Sequence, residues 1–408
     1  MAESPRSPSP SLKETDTTSE SWPLGDLLKD TPSNSMFGTL LYSGGLKHAL
    51  KTTTEITNNS ALLTGFISKF ENVKLTKRLE TFKSFDSKIY TVNESSFTDI
   101  ALDLFRFQAS NNLLYRSFIE GCGISIDDVD TLENIPFLPI SFFKSHPIKT
   151  GDWQEQAVFT SSGTTGSQPS RHLIADLHFY QKHARKCFEY FFGALTDYHI
   201  LALLPSYLER SGSSLVAMVD YFIRESGSSH SAFYLYDYDR LLEELNALRN
   251  DSRKCILWGV SFALLDLAEQ FPGDLSHCSV IETGGMKGKR REMTRNEMQD
   301  VLIARINVKT LFSEYGMTEL HSQAYCTTRN SRFFCPPWMR IIGRDITDPF
   351  RKGLLSETAG INVVDLANWQ SLSFIETEDL GKAHPDGSFE VLGRLDNSDL
   401  RGCNLMIQ

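Results

Sequence analysis

Short apolar runs alternate with amphipathic stretches between residues 200 and 312, and this alternation constrains the fold more than any other feature. Leu215, Met218, Val219 and Phe222 repeat at the three- and four-residue spacing of a helix, and the leucines between 241 and 248 do the same. Strands that alternate with helices favour a mostly parallel sheet covered on both faces. We therefore predict an α/β fold, with strands at Ile200–Leu204, Phe233–Tyr236, Cys255–Trp258, Ser279–Glu282 and Val308–Phe312.

The segments on either side of this region have different patterns. Phe97, Ala101 and Leu104 follow helical spacing, whereas the two prolines of 135–140 predict a stiff connector that is not helical. From about Gly360 onward, short apolar runs are joined by turns, and long helical patterns are missing. We predict a β-rich subdomain there, with strands at Ile361–Asp365, Leu372–Glu376 and Phe389–Leu392.

The composition argues against several classes of function. A formal net charge of -10 disfavours general nucleic-acid binding, because phosphate backbones require a basic surface. No run of about 18 apolar residues occurs, which predicts no membrane span. Seven scattered cysteines without a C-x-x-C pair are typical of reduced thiols, so we expect a cytoplasmic protein. In residues 1–35, 17 positions are Ser, Thr or Pro, and we predict a disordered tail.

The segment Phe159–Arg171 contains a loop rich in hydroxyl groups and glycine, with the sequence Ser161-Ser162-Gly163-Thr164-Thr165-Gly166. Glycines let the backbone approach an anion closely, and successive N–H groups with nearby hydroxyls can surround phosphate oxygens. Arg171 could add a permanent positive charge. Taken alone, the same composition also suits a polar surface hairpin.

Three further motifs follow this loop along the chain: Tyr315-Gly-Met-Thr-Glu319, Thr377-Glu-Asp-Leu-Gly381 and Gly393-Arg-Leu-Asp396. In this order, the four motifs resemble those of the adenylate-forming superfamily, which includes acyl-CoA ligases, luciferase-type enzymes and peptide-synthetase adenylation domains. The resemblance implies an ATP- and Mg²⁺-dependent ligase that converts a carboxylic acid to an acyl-adenylate.

The resemblance also implies roles for individual residues. ATP phosphates would be held by the loop, with contributions from Ser161, Ser162, Gly163, Thr164, Thr165, Gly166 and Arg171. Tyr315 would lie against the adenine, Thr318 would contact the α-phosphate and Glu319 would bind Mg²⁺. Asp379 would accept hydrogen bonds from the ribose hydroxyls, with Arg394 close to the same sugar.

Residues 85–408 resemble one branch more narrowly, the acyl-protein synthetases of the fatty-acid reductase system of bacterial bioluminescence. The segments that carry this resemblance are Ile135–Lys144, Ser170–His172, Pro336–Met339 and the end of the chain around Cys403. It implies a fatty acid substrate, transfer of the acyl group to the enzyme's own cysteine, and an acyl-acceptor partner such as a reductase. Cys403 is the candidate nucleophile, and Arg401 beside it could lower the pKa of the thiol.

The expected organisation is a tail at 1–35, an adenylate-forming catalytic domain at 36–396 and a short tail at 397–408. Only twelve residues follow Asp396, so the family's small C-terminal lid domain is expected to be essentially absent. Two other functions stay open. One is a coenzyme A ligase of the phenylacetate type, and the other is a catalytically inactive adenylate-forming fold that binds a partner. Cys403 could also be an unreactive terminal cysteine.

Overall fold

The computed structural model describes residues 85–86, 88–161, 168–205, 212–284, 293–326, 332–348 and 350–395. Its helices are α1 Phe97–Asn111, α2 Leu113–Gly121, α3 Phe142–Ser145, α4 Leu177–Phe192, α5 Ser214–Glu225, α6 Tyr238–Ala247, α7 Ser261–Gln270 and α8 Arg295–Ile306. None of the helices in these ranges combines the length and apolar character needed to cross a membrane.

The central element is a six-stranded sheet in the order β5-β4-β6-β7-β8-β9. Its strands are β4 Tyr198–Leu203, β5 Ala232–Phe233, β6 Lys254–Val260, β7 Cys278–Thr283, β8 Thr310–Tyr315 and β9 Ala324–Cys326. All neighbours are parallel except β9, which runs antiparallel to β8. Every residue of β4 is buried, as expected for a parallel strand covered on both faces. The predicted α/β class is therefore confirmed.

Helices that follow the strands pack against this sheet. Helix α5 contacts β4, whereas α7 contacts β6 and β7. Local signals set the helix ends: the Asp176 side chain accepts from the N–H of Phe179 at the start of α4. A capping box formed by Thr294 and Glu297 begins α8, and Asn307 ends it in the left-handed conformation.

A second sheet of five strands has the order β1-β12-β11-β10, with β13 also paired to β12. Its strands are β1 Leu138–Pro139, β10 Met339–Arg344, β11 Ala359–Asp365, β12 Phe374–Ala383 and β13 Phe389–Arg394. The three strands predicted after Gly360 are present, but the β-rich part begins at Met339 rather than near 360. Strand β10 was missed because it is a single short run without the alternation that marks a half-exposed strand.

Two of the strands predicted in the central sheet differ from the observed strands by more than a residue or two. The segment predicted as Phe233–Tyr236 forms a strand only over Ala232–Phe233, because Leu235 adopts a positive φ of 52° that ends the extended conformation. The segment predicted as Val308–Phe312 is a strand over Thr310–Tyr315, which carries the sheet directly into the Tyr315–Glu319 motif. The predicted tails at 1–35 and 397–408 lie outside the described residues.

Candidate active site

Tyr315 and Asp379 link the two sheets at the end of β8. The Tyr315 hydroxyl donates a hydrogen bond of 2.8 Å to Oδ2 of Asp379 on β12. Burial raises the pKa of Asp379, while this hydrogen bond and the charge of Arg394 act in the opposite direction. Burial, followed by the Asp379 charge, holds the pKa of Tyr315 well above its usual range. Tyr315 is therefore a neutral donor to a carboxylate in a partly desolvated setting.

Two cations and a second carboxylate surround this pair. Nε of Arg394 lies 3.6 Å from Oδ1 of Asp379, and its terminal nitrogen donates to Glu378 at 3.3 Å. Nζ of Lys144, on α3, lies 3.8 Å from the other oxygen of Glu378. The Arg394 side chain is 70% exposed, so it can reach a ligand at this surface without leaving the charge cluster.

Thr318 and Glu319 follow β8 and are held through their backbones. Nδ1 of His172 on β3 (Arg171–Ile174) lies 2.7 Å from the carbonyl oxygen of Thr318, and the Asn368 amide donates to the carbonyl of Glu319 at 2.7 Å. Nε2 of His172 lies 3.1 Å from Oδ1 of Asn368, which joins the two contacts. His172 and Asn368 are fully buried, so these contacts are shielded from water and hold the segment in place.

Glu319 is 4% exposed, and burial raises the pKa of its carboxyl group. A hydrogen bond from the Ser170 side chain and the charges of Arg394 and Lys144 partly offset this effect. A buried carboxylate beside a hydroxyl is a donor set that suits Mg²⁺, which binds few protein oxygens and retains waters. Glu319 therefore fits the ion that the motif implies.

Only the ends of the predicted phosphate loop are described. Strand β2 (Ala157–Thr160) pairs with β3 as an antiparallel hairpin. Ser161 closes its open end: its N–H donates to Ser170 O at 3.1 Å, and its hydroxyl accepts from Ser170 N at 2.9 Å. Arg171 is exposed. The residues between these ends, Ser162, Gly163, Thr164, Thr165 and Gly166, lie outside the described residues.

The described candidates thus come from four segments, and the structure brings Tyr315, Asp379 and Arg394 into contact range. Glu319 is linked to them through the charges of Arg394 and Lys144. Cys403, the candidate nucleophile, lies outside the described residues.

Glu282 and Glu314 form a second acidic pair at the ends of β7 and β8, which the sequence motifs did not indicate. Thr283 donates its hydroxyl hydrogen to Glu314, and burial raises the pKa of Glu314 to about 7, with the charge of Glu282 adding to the effect. Glu282 itself accepts from Arg295 Nε at 3.1 Å and from the Ser261 hydroxyl at 3.0 Å. Glu314 directly precedes Tyr315, and this position next to the motif is the sequence feature that could have identified it as a candidate site residue.

No protein-family model matches the sequence, and no curated protein matches it. Solved structures with a similar fold include ATP-bound MatB from Rhodopseudomonas palustris, with 17% identity and a TM-score of 0.45 over 67% of this chain and 51% of that one. A luciferase-like enzyme from the nonluminescent mealworm Zophobas morio has 16% identity and a TM-score of 0.43 over 62% of this chain and 61% of that one. A long-chain-fatty-acid-CoA ligase from Archaeoglobus fulgidus has 14% identity and a TM-score of 0.43 over 58% of this chain and 51% of that one. The chain therefore spans about half to three fifths of the length of these structures.

Proposed function

We propose that the protein activates a carboxylic acid with ATP, giving an acyl-adenylate and pyrophosphate. The observation that carries this proposal is the junction of Tyr315, Asp379 and Arg394 beside the buried Glu319. These side chains come from the end of β8 and from the β12–β13 hairpin, and each has the chemistry that one part of a nucleotide requires. An aromatic ring suits a base, a carboxylate suits two sugar hydroxyls, and a cation suits phosphate.

In the first step, a carboxylate oxygen of the acid forms a bond to the α-phosphorus. The bond from this phosphorus to the bridging oxygen breaks, and pyrophosphate leaves with the electron pair. Two anions approach each other, so fixed positive charge and N–H donors must offset their repulsion. Arg394 and Lys144 would supply such charge, and the Ser161–Gly166 loop would supply donors to the phosphates.

Glu319, with the Ser170 hydroxyl beside it, would hold Mg²⁺, which when bound would neutralise charge on the phosphates. The contribution of the chain is to fix this carboxylate. His172 and Asn368 hold the backbone on which Glu319 stands, so the oxygen donors are in place before the nucleotide arrives.

For the second step, we propose transfer of the acyl group to Cys403. The thiolate sulfur forms a bond to the acyl carbon, the bond from this carbon to the adenylate oxygen breaks, and AMP leaves. The thioester then passes to a partner protein such as an acyl reductase. The resemblance of 85–408 to acyl-protein synthetases supports this step and the choice of a fatty acid.

Acid-dependent exchange of labelled pyrophosphate into ATP tests the first step. We expect exchange with a panel of saturated fatty acids in the presence of Mg²⁺. If a wide panel of acids gives no exchange while ATP still binds, the protein is a partner-binding fold and the proposed activity is wrong.

Incubation with ATP and a radioactive fatty acid tests the second step. We expect label that stays on the protein, is released by neutral hydroxylamine and disappears in Cys403→Ser. The matched control is Cys122→Ser, because Cys122 is a partly exposed thiol on the described part of the chain. Label that persists in Cys403→Ser assigns the thioester to another group, and acyl-CoA formation without labelled protein identifies a coenzyme A ligase.

A further inference from the structure

Asp379 lies in a bulge of β12. On β11, Ile361 alone separates the two residues that pair with β12, whereas their partners Glu376 and Leu380 enclose three residues, 377–379. A bulge of this kind breaks the ladder and redirects the side chains that it carries. The backbone carbonyls around it lose their regular partners and need other donors if they are buried.

The buried Arg344 supplies these donors. It ends β10, where it pairs with Gly360 of β11, and its side chain passes over this glycine to reach β12. One terminal nitrogen donates to the carbonyl of Ile361 at 3.3 Å and the other to the carbonyl of Thr377 at 2.8 Å. A β-carbon at 360 would overlap the guanidinium, so the glycine is required for this path.

The Thr377 hydroxyl completes the connection to Asp379. It donates to the carbonyl of Ile361 at 2.7 Å and accepts from the N–H of Asp379 at 3.1 Å. The Arg344 charge also acts directly on the Asp379 carboxyl group. Glu376, 3.6 Å from the guanidinium, favours the charged form of Arg344 against the cost of its burial. Arg344 thus fixes both the backbone and the electrostatic setting of Asp379.

We propose that Arg344 is a positioning residue that sets the orientation of Asp379 and, through it, the selectivity of the site for ribose over 2′-deoxyribose. This inference rests on the proposed function, in which Asp379 accepts hydrogen bonds from the sugar. A carboxylate held in one orientation can accept hydrogen bonds from both sugar hydroxyls. A mobile carboxylate gains little binding free energy from the 2′-hydroxyl in addition to the 3′-hydroxyl. Selectivity between the two sugars therefore reports the orientation of Asp379 separately from overall ATP affinity.

The test is calorimetric titration of the full-length protein with ATP and with 2′-deoxy-ATP. We expect the wild type to bind ATP about tenfold more tightly than 2′-deoxy-ATP, because one hydrogen bond to a charged acceptor contributes about this factor. Arg344→Lys keeps the charge but cannot donate to two carbonyls from a planar fork, so we expect the preference to fall by about fivefold. A variant that merely loses stability weakens binding of both nucleotides equally and leaves the ratio unchanged.

Matched variants complete the design. Arg340→Lys is the control, because Arg340 lies on the same strand and pairs with Glu94 rather than with the bulge, so it should keep the wild-type ratio. Thr377→Val, which removes the hydroxyl, should lower the ratio, and Thr377→Ser should restore it. If Arg344→Lys does not fold, the two Thr377 variants test whether the contacts around the bulge set the preference for ATP over 2′-deoxy-ATP.

The outcomes separate the two proposals. A wild-type protein that does not bind ATP overturns the proposed function and this inference with it. A wild type that prefers ATP, combined with an unchanged ratio in Arg344→Lys or in Thr377→Val, overturns the positioning role alone. A wild type that binds both nucleotides equally overturns the inference and leaves acid activation to be judged by pyrophosphate exchange.

Discussion

Tyr315 and Asp379 belong to different sheets, and a hydrogen bond of 2.8 Å from the tyrosine hydroxyl to the carboxylate joins them. Tyr315 is the last residue of β8 in the central sheet, and Asp379 lies in the bulge of β12 in the second sheet. Ligands of open α/β sheets bind beyond the carboxyl ends of the strands, which is where this contact lies. The contact is therefore both a structural link and part of the candidate site.

Tyr315→Phe keeps the ring and removes the donor, so Asp379 loses the hydrogen bond that offsets its burial. We expect the free energy of unfolding to fall by about 1–2 kcal/mol, measured by urea denaturation. The matched control is Tyr325→Phe, because the buried Tyr325 hydroxyl has no hydrogen-bond partner within the described residues. A loss of stability as large in the control would show that the Tyr315 contact has no special role.

Glu319→Gln replaces the carboxylate proposed for Mg²⁺ by an amide of the same shape. We expect the rate of ATP–pyrophosphate exchange to fall by about 100-fold and the Mg²⁺ dependence of ATP binding, measured by calorimetry, to weaken. Glu378→Gln is the control, since Glu378 belongs to the same charge cluster but pairs with Lys144 and Arg394 at the surface. Equal effects in the two variants would assign the result to overall charge rather than to metal binding.

His172 gives the protein an acid-sensitive point. Burial lowers its pKa to about 4 from 6.5. Between pH 4 and pH 6.5, the imidazole therefore binds a proton in the unfolded chain but not in the folded chain. Stability is lost as the pH falls from about 6.5 to about 4. We expect His172 to account for a loss of up to about 3 kcal/mol over this range, measured by urea denaturation. The buried His183, whose pKa burial lowers to about 3, adds to the same dependence, so the slope of the unfolding free energy against pH should decrease in His172→Gln without vanishing. The slope should stay as in the wild type when the exposed His146 is replaced by Gln; an unchanged slope in His172→Gln would contradict the assignment.

Much of the architecture could be predicted from the sequence, because the central strands are continuous apolar runs and the helices between them have strong periodicity. Strand β10 could not be predicted, since its pairing with β11 decides its conformation. The candidate residues of the site were predicted from four short motifs, yet the contacts that hold them were not. His172, Asn368 and Arg344 reach carbonyls that are distant in sequence. Such contacts leave no local pattern, because a carbonyl is present at every residue.

Glu314 should have the opposite pH dependence to His172. Burial raises its pKa to about 7 from 4.5, so the folded chain binds a proton that the unfolded chain releases, and stability is lost as the pH rises through this range. Because the side chain is partly exposed, we expect a cost of about 2 kcal/mol at pH 8 relative to pH 5. Glu314→Gln should remove this cost, so the variant should gain stability over the wild type at pH 8 and differ little at pH 5 in urea denaturation. A variant that is less stable than the wild type at pH 8 would mean that the Glu314 carboxylate is favourably paired in the folded protein.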